Sequence, residues 1–364
     1  MAKKNKKSAL YEVAGVEQHQ RLNTGMLKNI SKKKELPDAD TFVSQILSGD
    51  KIVLSKAITL IESNNPSHFH LGQEIVKKCL PYAGKSIRLG ITGVPGVGKS
   101  TFIESLGKRF TNAGHKLAVL AVDPSSSISK GSILGDKTRM EELARDANAY
   151  IRPSPSGNNL GGVARKTRET IVLCEAAGYD RILIETVGVG QSETIVYSMV
   201  DFLLLLKLAG AGDELQGIKR GIIEMADLLV VNKAEGDNIN AARLAQKAFE
   251  NALHFYPPKE NGWYPKVLLA SALYDKGLAE VEAEVEAYIQ LTKSNGFFDR
   301  KRKQQNIYWL YESINRRLQD AFYKHPQVAA FLPEWVQRIE QNKITAFEAA
   351  SALLELYAHP NEKE

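Results

Sequence analysis

Cysteine occurs only twice in the 364 residues, at Cys79 and Cys174. The two stand far apart and in no metal-ligand spacing. That excludes a disulfide-stapled scaffold and fits a reducing, cytoplasmic compartment. Histidine is also scarce: of seven residues only His68 and His70 lie close together, which argues against a metal-loading tract. No stretch approaches the ~18 uninterrupted apolar residues that a membrane span requires. The first residues have no apolar signal core, are rich in Lys rather than Arg, and carry acids at Glu12 and Glu17. Neither a secretory nor a mitochondrial leader is expected. There is no internal repeat.

The net charge of +6 has one source. Residues 1–34 hold nine Lys/Arg against two acids, and the remainder, with 39 basic and 40 acidic residues, is close to neutral. A basic arm of this kind reads as a solvated tail, and no nucleic-acid partner is expected.

From residue 86 short β-rich runs alternate with helical stretches. The runs are 86–92, 116–123, 180–186, 201–208, 228–234 and 267–272, several of them apolar almost throughout. Parallel strands covered on both faces read this way. Helical spacing fits 99–113, 161–177, 217–226, 239–254 and 277–292. The expectation is an α/β fold, a doubly wound and mostly parallel sheet. Helices are expected at 39–64, before Pro81 and Gly84, and a long amphipathic helix at 297–325 with two more near 326–341 and 344–357. Three regions follow: 1–80, a Lys-rich arm and N-terminal helices; 81–295, a nucleotide-binding domain; 296–364, a helical tail.

The chemistry begins at Gly93-Val94-Pro95-Gly96-Val97-Gly98-Lys99-Ser100-Thr101. This fits G-x-x-x-x-G-K-[ST] between a strand and a helix, the P-loop context. Glycines let backbone N–H groups turn around a polyphosphate, and the helix N-terminus faces the same charge. Lys99 is expected at the β- and γ-phosphates, the Ser100 hydroxyl on Mg²⁺ and Thr101 near the α-phosphate. Asp123 and Glu185 end strand runs, where ligands of open α/β sheets collect. Asp136 is a third acidic position. These carboxylates suit Mg²⁺, which takes oxygen ligands. Gly188 would let an N–H approach the γ-phosphate.

Asn232-Lys233-Ala234-Glu235 follows an apolar run and resembles NKxD, whose carboxylate reads the guanine N1–H and amino group. Lys233 would lie along the base and Asn232 would tie loops together. Glu235 is one methylene longer than the usual Asp, and Asp237 competes with it for the role. Ser271-Ala272-Leu273 stands where a loop supports the guanine O6. GTP and GDP are therefore the expected ligands.

Together GVPGVGKST, DPSS, GSILGDKTRM, ETVGVGQSE, AGAGDELQGIKRGIIEMAD and NKAEGDN closely resemble the MeaB/ArgK family, over roughly residues 40–325. The resemblance implies a slow GTPase acting as chaperone of an adenosylcobalamin-dependent acyl-CoA mutase, usually methylmalonyl-CoA mutase, gating cofactor loading and protecting the mutase. It implies that Asp123, Asp136 and Glu185 surround Mg²⁺ and the attacking water, with Glu185 in place of the switch Asp. The segment 210–219 would respond to nucleotide and mutase through Asp213 and Lys219. The family is dimeric through C-terminal helices, which suits the tail. This chain departs at Lys130-Gly131, where the family has Gly-Gly, and at Glu235. No arginine finger is identifiable; Arg139 and Lys219 are candidates. Competing readings are an ATP-dependent kinase linked to amino-acid transport and a metallochaperone GTPase.

Overall fold

A computed structural model describes residues 36–63, 65–122, 140–153, 160–186, 192–210 and 220–359. Ala39–Glu364 form one compact unit. Seven strands make its sheet: β1 (Ile87–Gly93), β2 (Leu117–Val122), β3 (Ala149–Arg152), β4 (Arg181–Thr186), β5 (Phe202–Leu208), β6 (Leu228–Asn232) and β7 (Lys266–Leu269). All pair in parallel, in the order β3-β2-β4-β1-β5-β6-β7. The chain runs outward from β1 in one direction and then returns to run in the other. The switch point therefore lies at the C-terminal end of β1.

Six of the strands coincide with the apolar runs. The seventh, β3, is four residues long and pairs only with β2. Too short to show a pattern and half-exposed at its end, it carries no sequence signal distinct from a loop.

The helices are α1 (Ala39–Leu47), α2 (Lys51–Glu62), α3 (Pro66–Cys79), α4 (Lys99–Asn112), α5 (Glu141–Arg145), α6 (Leu160–Ala176), α7 (Ser192–Tyr197), α8 (Arg220–Met225), α9 (Ile239–Leu253), α10 (Leu278–Ser294), α11 (Phe297–Tyr323), α12 (Pro326–Glu340) and α13 (Ala346–Ala358). Asp50 separates α1 from α2 and caps the latter, accepting from the N–H groups of Ile52 and Val53 at 2.8 and 3.0 Å. Asn65 caps α3, with Pro66 at the first position, where its missing N–H costs nothing.

Helices cover both faces. On one, Phe42, Ile46, Leu54, Ile58 and Ile75 of α1–α3 join α6 and the outward side chains of β2 and β4. On the other, Phe102, Ile103 and Leu106 of α4 meet Val281, Tyr288 and Ile289 of α10 across Leu89, Leu204 and Val230. A third cluster joins α8 and α9 to β6 and β7. Cys79 and Cys174 are buried as free thiols, and burial pushes the first up to about 11 and the second higher still. Neither is poised to react. Among the described residues no helix is long and apolar enough to cross a membrane.

Candidate functional site

The mouth of the site is the C-terminal edge of β1, β4, β5 and β6. Loop 94–98 leaves β1 and enters α4. Val94, Pro95 and Gly96 form its exposed rim, while Val97 is buried and anchors it in the core. Two glycines are required here. Gly93 has φ 154° and a Cβ on it would stand 2.6 Å from the Leu206 carbonyl oxygen. Gly98 has φ 92°, and its Cβ would meet Asn232 Nδ2 at 3.0 Å. A side chain at either would push the loop off the neighbouring strands.

Lys99, only 9% exposed, donates from Nζ to the carbonyl oxygens of Gly93 (2.9 Å) and Val94 (3.2 Å). Its ammonium is thus held inside the curve of the loop. Ser100, in the first turn of α4, donates from Oγ to Glu185 Oε1 at 3.2 Å. Glu185 sits near the end of β4, in register with Ile91 of β1 and Ala121 of β2. Thr101 follows on the exposed side of the same turn. The hydroxyls of Thr186 and Thr92 bond at 2.8 Å beneath them, closing the floor. Asp123, Asp136, Gly188, Asp213 and Lys219, like Lys130, Gly131 and Arg139, lie outside the described residues.

The second half of the mouth is built on β6. Asn232 is 1% exposed; its Nδ2 donates to the Val97 carbonyl at 2.9 Å, and its Oδ1 accepts from the Ala272 N–H at 3.2 Å. One side chain therefore joins the phosphate loop to loop 271–273. Lys233 takes φ 60°, uncommon for a residue with a Cβ. This turn carries its side chain over Gly98. The Ala234 N–H donates to Ala270 (3.0 Å), and the Ser271 hydroxyl bonds the Glu235 carboxylate. Glu235 is half-buried against that loop. Asp237 lies exposed in the next turn, and no hydrogen bond joins it to Ser271, Ala272 or Leu273.

Two further residues were not singled out from sequence. Ser105 of α4 donates to the Ala272 carbonyl at 2.7 Å, fastening loop 271–273 to the phosphate-loop helix. A hydroxyl one turn past the motif carries no signal by itself. Lys207, near the end of β5, pairs in register with Val231. Burial pushes its ammonium down to about 8, and among the described residues no hydrogen bond or ion pair reaches it. Its pKa is lower in the folded chain, so the unfolded chain binds more protons between about 8 and 10.5 and stability rises with pH across that window. Below it the penalty is complete. Lys207→Met should stabilise the protein by about 1–3 kcal/mol near neutral pH. Urea unfolding should show the gain shrinking at about pH 10, and a gain independent of pH would refute a charge origin.

The site thus has two halves, a glycine loop closed around a lysine ammonium and a second loop that Asn232 and Ser105 fasten to it. Comparisons with known proteins agree along most of the chain. The family described as methylmalonyl Co-A mutase-associated GTPase MeaB matches residues 54–327. A putative GTPase of Caulobacter vibrioides is 49% identical over 317 residues, covering 87% of this chain and 97% of that protein. The GTPase ArgK of Escherichia coli is 42% identical over 83% of this chain and 92% of its own length. The mitochondrial methylmalonic aciduria type A homolog of Mus musculus is 44% identical over 89% and 80%. A solved structure of an LAO/AO transport system kinase superposes with a TM-score of 0.72 at 35% identity, covering 87% of this chain and 97% of that one. Phosphate loop, base loop, sheet and the start of the C-terminal helices all fall within the matched span, and the chain belongs to the MeaB family of GTPases.

Proposed function

We propose that this GTPase is a chaperone of an adenosylcobalamin-dependent acyl-CoA mutase, with methylmalonyl-CoA mutase as its client, gating cofactor loading and protecting the mutase. The observation that carries the reading is the family match over 54–327, which spans both loops of the candidate site and the whole of α11. GTP binds with its phosphates in loop 93–99 and its base between Lys233 and loop 271–273. Lys99 reaches the β- and γ-phosphates, and Gly188 offers its N–H to the γ-phosphate. Ser100 and Glu185 fit Mg²⁺, since both present oxygen and their oxygens stand 3.2 Å apart; Asp123 and Asp136 would complete the set. Mg²⁺ when bound neutralises charge on the phosphate oxygens. Glu185 or Asp136 orients the attacking water. Asp213 and Lys219 are the polar groups proposed to answer to the nucleotide.

Turnover by the chain alone is slow in this reading, and the client raises it by completing the site. Adding methylmalonyl-CoA mutase loaded with adenosylcobalamin should accelerate phosphate release severalfold. A rate unchanged at saturating mutase would contradict the proposal. The same protein is proposed to be a cytoplasmic homodimer. Its self-association surface is the exposed apolar row Ile307, Leu310, Ile314 and Leu318 on α11, beside a groove of about 620 Å³ lined by Phe322, Trp335 and Leu353.

Guanine is read by Glu235 rather than Asp237. The Ser271 hydroxyl holds one carboxylate oxygen, which fixes the longer side chain in one rotamer. Glu235→Gln should weaken GDP binding by about 10–100-fold, since a bidentate contact is worth about 1–3 kcal/mol. Ser271→Ala should cost about 1 kcal/mol. Calorimetry with GDP checks both, and a larger loss from Asp237→Asn would reverse the assignment.

A further inference from the structure

The sheet has a second end. Where β6 begins at Leu228 and β7 at Lys266, opposite the nucleotide mouth, a groove of about 810 Å³ opens. That volume is in the range of ligand clefts. None of residues 93–101, 185, 232–235 or 271–273 lines it.

Its walls are aromatic and proline-rich: Tyr256, Pro257, Tyr264 and Pro265 come from the segment between α9 and β7, and Phe297 from the start of α11. Tyr264 is 67% exposed and the neighbouring Phe255 90%. Large apolar side chains kept in water beside a cleft mark contact surfaces.

The charge of the groove is one-sided. Lys259 is consumed internally, donating to Asp227 Oδ1 (2.7 Å) and to the carbonyls of Met225 and Ala226. Lys266 is paired with Glu284 at 2.6 Å, and Glu260 with Arg300 at 3.1 Å. Glu224 and Glu250 also line the groove, both exposed, and no ion pair from the described residues reaches either. Among the described side chains that line the groove, with His254 the one further basic group, the unpaired charge is therefore negative, and tyrosines stand in the same wall. Carboxylates beside aromatic rings bind Lys or Arg through ion pairs and cation–π contacts. Tyrosine and proline walls accept extended apolar chain between the charges.

The remaining lining links the groove to the nucleotide end. Tyr197 is the last residue of α7, and Ile223, Glu224 and Met225 end α8. Both helices run back from the C-terminal edge of the sheet, so an occupant bears on elements that start at the mouth.

We propose that this groove docks an extended segment of a partner protein that carries Lys or Arg between apolar residues. The test uses a fluorescein-labelled nonapeptide of Arg, Leu and Pro, titrated by anisotropy with the full chain and GDP. Saturable binding is expected, weakened at least about tenfold by Glu224→Gln/Glu250→Gln and again by Tyr264→Ala. The same peptide with Glu for Arg should not bind. GTP turnover of the variants should be unchanged, and because all three side chains are exposed, the variants should fold. No saturable binding by about 1 mM, equal binding by parent and variants, or equal binding of the Glu peptide would each overturn the proposal.

Discussion

Lys99→Ala should lower GTP turnover by about 10²–10³-fold, the range lost when one preorganised donor to developing charge is removed. The effect follows from where the ammonium is. Nζ lies within the curve of loop 93–98, 2.9 and 3.2 Å from the carbonyls of Gly93 and Val94, on a side chain only 9% exposed. A cation so placed is oriented before the phosphates arrive, so little reorganisation remains for the reaction itself. Alanine is a better helix former than lysine at the first turn of α4, so the variant should fold with parental stability. Phosphate release under single-turnover conditions is the measurement. A loss below about tenfold would mean that the loop N–H groups, not the lysine, carry the charge stabilisation.

The largest expected effect on stability lies elsewhere. Asp201→Ala should destabilise the protein by about 3–5 kcal/mol, the usual result of removing one partner from a buried ion pair. Asp201 is 2% exposed and stands in the turn between α7 and β5. Its carboxylate accepts the Arg88 N–H at 2.8 Å and two bonds from the Arg302 guanidinium at 2.8 and 2.7 Å. Arg302 also donates to the carbonyls of Gly84 and Ser86 at 2.6 Å. On the same helix Lys301 donates to the Asp201 carbonyl at 2.8 Å, Gln305 to those of Tyr197 and Val200, and Trp309 to that of Ser198. Lys301, Gln305 and Trp309 recur every four residues on one helical face. They fasten α11 to the segment that directly follows α7. The variant leaves Arg302 without its carboxylate, and water does not reach it freely. The double variant Asp201→Ala/Arg302→Ala should lose little more than the single, because the two act as a unit. Urea unfolding reads both, and a loss under about 1 kcal/mol would show the pair to be neutral.

Legibility followed physical contrast. Strands β1, β2, β4, β5 and β6 were readable because both faces are covered, which leaves nearly continuous apolar runs. The four residues of β3 show no such run, and α3 was missed because Ile75 and Cys79 carry its only buried side chains. The turn from β1 into α4 was legible because its glycines and Lys99 stand close together in the chain. Ser105, Thr92, Thr186 and Lys207 were not. Each matters through a partner or a burial that arises only when distant segments meet, such as Ser105 with Ala272 or Thr92 with Thr186.

Amino-acid order by itself determined the parallel α/β sheet and, through its glycine-lysine and Asn-Lys motifs, the family. These depend on local constraints: hydrophobic period, glycine backbone freedom and the spacing of residues in one turn. Tertiary structure alone decided that Glu235 and not Asp237 stands against Ser271, that Asn232 joins the two loops, that Asp201 receives the C-terminal helix, and that an acidic aromatic groove opens at the far end of the sheet. The reason is common to all four. Each depends on the distance between groups far apart in the chain, and packing of the whole sheet sets that distance.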